Sequence, residues 1–523
     1  MAQVASVPGL GRRAVAALWG AIAAPYLVLA LWVPVARALG VFERVPVPVI
    51  VALGVVAAPL AVALAPRLAA TLPESLDRWL ETERRSLAAL WALGGLLAVF
   101  VFARMAVFLG DPRLVAYSFA PAEPFLVHHS CLTAYVHGAI LSTTPGANVY
   151  DLAFVPVDPS APPPLPATAA GFAPFALDAF GYPPPFLLLP RAMLALTSSF
   201  LTLRLLFSAA SLVALLVACA AAARTLGGVA GRRMWLLAPL FLANPVVIVG
   251  LQVGNFHLAA VALCLGCWVA LERRRDGLAG ALLAIATLAK IFPGLLGVVV
   301  LLHRRWRVVV YTALAATALC ALSVAVLGTQ VWRDFVFYHL PHVESGEALR
   351  FMAGSTREIA FNVAPFGIPF KLQALGFTGF SWAEARLFGR VYTVFLLVLA
   401  VLAGRNRGTP RHELTVWLAV VMLASLRSPY AAPFVLATVC VLLAVLVSEV
   451  RSGRTLALFV MSWALCSLPP PASSPRVGIA LSLVRVLLID ALLVWVALRR
   501  ERPSSEAPDR LAVPSPTPLA SFR

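Results

Sequence analysis

Long apolar runs alternate with short polar turns along most of the chain, and the charges in those turns are mostly arginine. A helix of about 20 residues crosses a hydrocarbon core of about 30 Å, so each run of that length is read as a span. Spans are expected at 14–38, 47–65, 87–109, 204–223, 234–251, 255–271, 307–328, 386–403, 413–427, 432–449, 455–470 and 477–498.

The arginines orient these spans. Arg12 and Arg13 precede the first run and put the N-terminus in the cytoplasm by the positive-inside rule. The basic segment 66–86 then lies inside and residues 110–202 lie outside. Arg224, Arg232 and Arg233, then Arg273 to Arg275, Arg304, Arg305 and Arg307, Arg405, Arg407 and Arg411, and Arg451 and Arg454 all fall on the cytoplasmic side of the same arrangement.

Residues 277–302 break the rule, because ERRRD precedes them and HRRWR follows, and a single span would strand one basic cluster outside. Pro293 removes a backbone donor and disfavours helix at the residue before it, so two short helices turning at Lys290-Ile291-Phe292-Pro293 are expected instead. The fold class is an all-α polytopic membrane protein of about 12 transmembrane helices plus one re-entrant helical hairpin, with large extracytoplasmic loops bearing short helices. Both termini are expected in the cytoplasm and the protein in the cell membrane as a multi-pass chain.

The chain divides accordingly: 1–86, two N-terminal spans and a cytoplasmic loop; 87–328, a core including the first external loop 110–202; 329–385, the second external loop; 386–498, C-terminal spans; and 499–523, a Pro- and Ser-rich cytoplasmic tail expected to be disordered. Within the first loop, 122–142 is expected to be an interfacial helix offering Phe125, Leu132, Tyr135 and Val136 to the membrane surface.

Composition fits this class: 61% of the 523 residues are hydrophobic and only 12% are charged, about half the share of an ordinary soluble domain. A net charge of +18 would suggest nucleic acid in a soluble protein; here it sits in membrane-flanking turns, and no nucleic-acid partner is expected. Of seven cysteines, Cys131 alone lies in a long loop, so no disulfide framework is expected. Cys264 and Cys267 have no second pair, and His339 and His342 have no assigned carboxylate, so no metal is expected either. Arg12 and Arg13 are followed by a run too long for the core of a signal peptide, and no cleaved leader is expected.

Polar groups inside apolar runs carry the candidate chemistry. Asn244, Gln252, Asn255 and His257 sit in or beside apolar stretches, where an unpartnered polar group costs several kcal/mol, so they must face protein or a wet cavity. Lys290, one of only two lysines with Lys371, is costlier still and is a functional candidate by default. Snorkelling of Lys290 and simple packing of the amides is the competing explanation.

The sequence N-P, then G-x-Q-x-G-N, a basic R-R-R turn, A-G-x-L-L-A-x-A-T-L-A-K-I-F-P and H-R-R-W-R, all within 244–307, resembles glycosyltransferase family 87. Tyr182-Pro183-Pro184-Pro185, Arg204-Leu205-Leu206 and the segment 133–151 are similar to further family segments. The resemblance implies a GT-C superfamily fold and a mannosyltransferase that takes its sugar from a polyprenol phosphate. It also implies a catalytic aspartate just before the 133–151 segment, where this chain reads HHSCLTA with no acid, and a late Trp and His where it reads Ser428-Pro429-Tyr430-Ala431-Ala432-Pro433-Phe434.

On this reading the partners are a polyprenyl-phosphate sugar, a lipid or glycan acceptor and the membrane, with no cofactor beyond the lipid-linked co-substrate. Such a transfer needs a base for the incoming hydroxyl and positive charge or hydrogen bonds for the departing phosphate. Asp111, at the end of a span, leads the candidates for base, with Glu123, His128 and His129 behind it. Lys290, Arg204 and Arg357 are candidates for the phosphate, and Gln252, Asn255, His257, Asn244 and Tyr182 for lining the same cavity. A transporter or flippase shares the broken helices and midplane polar groups. Against it stand the lack of a detectable repeat and the two long external loops. A membrane scaffold without catalysis is the remaining alternative.

Overall fold

The computed structural model describes Gly20 and residues 85–155, 165–446, 453–467 and 475–500. The spans expected at 14–38 and 47–65, most of the basic segment 66–86 and most of the tail lie outside the described residues. Among those residues the chain is helical, with a single bridge between His129 and Ala176 and no strand.

Every other expected span is a helix or a helix pair: α1 (Arg85–Gly110), α5 (Phe200–Leu226), α6 (Gly228–Leu242) with α7 (Pro245–Gln252), α8 (His257–Glu272), α11 (Trp306–Leu327), α14 (Trp382–Arg405), α15 (Pro410–Ser425), α16 (Ala437–Leu446), α17 (Gly453–Ser467) and α18 (Pro475–Leu498). The loops add the short helices α2 (Pro124–His128), α3 (Leu132–Leu141), α4 (Leu188–Leu196), α12 (Thr356–Phe361) and α13 (Ile368–Ala374). Four described helices are long and apolar enough to cross a membrane alone, or five if α6 and α7, bent by 63° at Asn244-Pro245, count as one span. The bend is where Pro245 starts a new helix and the Asn244 side chain caps it by accepting from Val246 N at 3.0 Å.

Core and lipid face separate as the apolar pattern requires. Leu414 to Ser425 of α15 are buried all round, as befits a helix hydrophobic on every side at the centre of a bundle. At the rim, α11 exposes Val310, Leu314, Leu322 and Val326, α14 exposes Val391, Val394 and Val398, and α18 exposes Val484, Leu488 and Trp495. Apolar faces of this extent require lipid.

Helix α9 (Asp276–Ala289) and helix α10 (Leu296–Leu302) are the two halves of the stretch that broke the charge rule. Helix α9 stops at Lys290, whose backbone is extended (φ −147°), and Phe292–Leu295 form a tight 3-10 turn around Pro293. The chain then returns: Arg274 and Asp276 at the start of α9, and His303, Arg304, Arg305 and Arg307 after α10, line one cavity of about 530 Å³ together with Arg407 and Glu413. Both basic clusters therefore lie at the same end of the bundle. Gly280 lets α9 lie against α11, since a Cβ there would come within 2.6 Å of Tyr311 Cβ and 2.8 Å of Thr312 N.

The expected interfacial helix takes a different form. Residues 122–142 make two helices, α2 and α3, and in α3 Leu132, Tyr135 and Val136 are at most 1% exposed. The physical reason is a second apolar surface: Gly138 admits the Phe180 ring, 3.1 Å from where a Cβ would stand, and Leu187 at 3.2 Å. The two long loops, 110–202 and 329–385, pack on each other, with Arg350 donating to the Leu152 and Val155 carbonyls at 3.1 and 2.6 Å and the Leu152 amide donating to Tyr338 Oη at 3.3 Å.

Candidate active site

The loops meet the hairpin at the turn Val253-Gly254-Asn255, between α7 and α8. Gly254 has φ +68°, a left-handed conformation that costs other residues roughly 1–2 kcal/mol. Around this turn several polar residues serve as internal struts. Gln252 accepts from Phe119 N and donates to Leu126 O, both at 2.8 Å. Arg204, wholly buried, donates to Gln252 O at 3.2 Å and Phe108 O at 3.4 Å, with its guanidinium 4.3 Å from the Phe175 ring centre. Asn244 bonds Ser467 at 2.6 Å and His257 bonds Thr438 at 2.9 Å. These bonds tie the four residues into the protein around α7 and the start of α8.

On the turn's open side, a chain of polar atoms runs from the hairpin into the first loop. Lys290 Nζ, carried by the break after α9, donates to Asn255 Oδ1 at 3.1 Å and stands 5.4 Å from the Tyr182 ring centre. Asn255 Nδ2 donates to Cys131 Sγ at 3.3 Å, and Cys131 Sγ lies 3.5 Å from His129 Nε2. The other ring nitrogen, Nδ1, is 3.3 Å from Asp178 Oδ1. Tyr182 Oη is 3.0 Å from Tyr135 Oη, which accepts from Phe256 N at 3.2 Å. With Nδ1–H facing the carboxylate, Nε2 is left to accept from the Cys131 thiol.

Local structure fixes the two ends of this chain. The bridge of His129 to Ala176 lays residues 128–130 beside 175–177, with Ala176 N donating to His128 O at 2.8 Å. Thr133 Oγ1 accepts from Asp178 N at 3.1 Å. His129 stacks on Phe125 at 4.2 Å. Burial pushes the His129 imidazole down to about 4, the Glu358 carboxylate opposing this and the Arg357 guanidinium reinforcing it. Asp178 keeps 29% of its side-chain surface, yet the protein around it strips solvation and pushes the carboxyl up to about 7.

The remaining sequence candidates sit apart from this chain or at its border. Asp111 is paired with Arg113 at 2.9 Å at an exposed helix end, and that hydrogen bond holds its carboxyl below the usual range. Glu123 is ion-paired with Arg357, whose guanidinium lies 4.7 Å from the Phe125 ring centre. The neighbouring Glu358 accepts from Tyr430 Oη, and Tyr430 belongs to the segment that stands where the late Trp and His were expected. His128 is exposed. His342 donates from Nδ1 to Tyr338 O at 2.6 Å and His339 packs on Tyr150 at 4.7 Å, consistent with loop packing. The structure thus brings His129, Asn255, Lys290 and Tyr182 together and adds Asp178 and Cys131, which the sequence reading did not single out as site residues.

Compared with known proteins, residues 180–448 match the family description "Glycosyltransferase family 87", just over half of the chain. No curated protein and no solved structure matches it. The matched stretch holds Tyr182, Asn255 and Lys290, and it begins after Asp111, Glu123, His128, His129, Cys131 and Asp178.

Proposed function

Since the chain belongs to glycosyltransferase family 87 and is therefore a glycosyltransferase, we propose that it moves a sugar, mannose by family resemblance, from a polyprenyl phosphate to a lipid or glycan acceptor at the outer face of the cell membrane. The observation that carries this reading is Lys290: an ammonium at a helix break, hydrogen-bonded to Asn255 at 3.1 Å, and joined through Cys131 and His129 to the partly exposed Asp178 carboxylate.

The roles follow from charge. As the bond from the anomeric carbon to the phosphate oxygen breaks, the electron pair stays on that oxygen, and Lys290 offers it a point charge, with Asn255 and Tyr182 bordering the same space. Asp178 takes the proton of the acceptor hydroxyl while that oxygen bonds to the anomeric carbon from the opposite face, inverting it. His129 is a positioning residue that donates Nδ1–H to Asp178. Of the acids proposed from sequence, Asp111 is neutralised by Arg113 and Glu123 by Arg357, which leaves each a weaker proton acceptor. Arg357 borders His129 and is kept as a second cation for the donor phosphate. Gln252, Arg204, Asn244 and His257 position the turn.

The topology of about twelve spans with both termini inside, and with α9 and α10 as a re-entrant hairpin, belongs to the same proposal. It is supported by the basic clusters that share one cavity at the far end of α8 and α9 from Lys290. A panel of purified polyprenyl-phosphate and nucleotide sugars tests the reading. Transfer is expected from the polyprenyl donor with inverted product, while transfer from a nucleotide sugar alone, or a retained configuration, overturns it.

A further inference from the structure

Cys131 has no part in the transfer as derived above, yet it is buried in the middle of the polar chain with a ring nitrogen on one side and an amide on the other. His129, Cys131 and Asp178 each offer one ligand atom, and the three atoms lie within 4.8 Å of one another. A tetrahedral zinc with bonds of about 2.3 Å to sulfur and about 2.0 Å to nitrogen sets those two ligands about 3.5 Å apart, and Cys131 Sγ to His129 Nε2 is 3.5 Å. Asp178, the most exposed of the three, stands 3.3 Å from the other ring nitrogen, Nδ1, so its carboxylate has to move toward the Cys131 side of the ring to complete the set.

We propose that His129, Cys131 and Asp178 form a site for a borderline-soft divalent cation, zinc-like in preference, that switches the transfer off while it is bound. Resting on the reading of Asp178 as base, the switch is direct: the cation takes the carboxylate that would otherwise receive the acceptor proton. Ligand chemistry selects the metal class, because thiolate and imidazole favour zinc-like ions over magnesium or calcium, which take oxygen. On binding, M²⁺ replaces the thiol proton and any proton held by Asp178, and both protons leave to solvent. Asn255 Nδ2, 3.3 Å from Cys131 Sγ, is placed to donate to the resulting thiolate, as outer partners of metal ligands do.

A nucleophilic thiol is the other chemistry that a cysteine, histidine and aspartate in a row suggests. Burial pushes the Cys131 thiol up to about 12, so without a metal it stays protonated and unreactive. The buried pair Cys264 and Cys267 gives an internal control, since Cys267 donates to Ala279 O at 3.3 Å.

Cobalt(II) titration of the chelator-stripped full-length protein in detergent tests the site through its thiolate-to-cobalt absorption band, independently of activity. The expected result is one equivalent of bound cobalt with that band. The band is lost in Cys131→Ser, retained in the Cys264→Ser/Cys267→Ser double variant, and formed at least tenfold more weakly in Asp178→Asn. Absence of the band in the wild-type protein, or its survival in Cys131→Ser, overturns the site. In parallel, zinc should abolish transfer by the wild-type protein, and the half-inhibiting concentration should rise at least tenfold in Cys131→Ser. A cobalt band accompanied by unaffected transfer keeps the site but removes both the switch and Asp178 as base, so the two readings fail separately.

Discussion

The position of Lys290 is not explained by stability alone. An ammonium partly withdrawn from water is a burden on folding, and here its side-chain hydrogen bond goes to a neutral amide. Lys290→Ala should therefore leave the protein folded in the membrane and lower transfer by about 10²-fold or more, the usual scale for removing a donor to developing negative charge. Near-full turnover in that variant would make Lys290 a snorkelling residue. At the other end of the polar chain, Asp178→Asn keeps shape and should cost about 10² to 10⁴-fold in turnover, with donor binding retained. Asp111→Asn should cost far less, because Arg113 already occupies its carboxylate. Loss of turnover in Asp111→Asn with an active Asp178→Asn would return the base to the end of α1.

Sequence alone named Lys290, Asn255, Tyr182 and His129 and missed Asp178 and Cys131. Lys290 and Asn255 were legible because a charge or an amide inside an apolar run has no cheap alternative explanation, and Tyr182 through the resemblance of Tyr182-Pro183-Pro184-Pro185 to a family segment. Asp178 was one of five acids in a long loop, and nothing local distinguishes it. Its proximity to His129 is created by the bridge between residues 129 and 176, a long-range contact with no local pattern. Arg204 and Gln252 carried the same sequence signal as Lys290, but their polar groups turn out to brace the loop.

The elements that place these residues are two backbone features. Helix α9 must end at Lys290 and return, which Pro293 and the paired basic clusters already announced in the sequence. The burial of α3 was not announced, because a helix that is apolar on most sides reads the same whether it lies on lipid or under a loop. Single cysteines replacing Arg275 and Arg305 should be labelled from the same side of the membrane; labelling from opposite sides would remove the hairpin. Gly280 sets how closely α9 approaches α11, so Gly280→Leu should lower thermal stability by several degrees and reduce folded yield, through overpacking of about 1–3 kcal/mol or more. A variant as stable as the parent would mean that the two helices are not pressed together there.

For the molecule as a whole, the two ends do different work. The two long loops cover the turn that holds Asn255 and bring Asp178 to it, while the opposite end gathers Arg274, Arg304, Arg305, Arg307 and Arg407 around one cavity. Between them, α11, α14 and α18 present apolar side chains outward, the surface a lipid-borne donor would travel along. In the proposed reaction the sugar arrives on a polyprenyl phosphate and leaves that phosphate at Lys290. Reconstituting the protein with radiolabelled polyprenyl-phosphate mannose and a membrane lipid acceptor fraction tests it most directly. Label should move to acceptor with equal release of unlabelled polyprenyl phosphate, and about 10²-fold more slowly in Lys290→Ala. Label remaining on the polyprenyl phosphate with the wild-type protein, or transfer at an equal rate with Lys290→Ala, would contradict it.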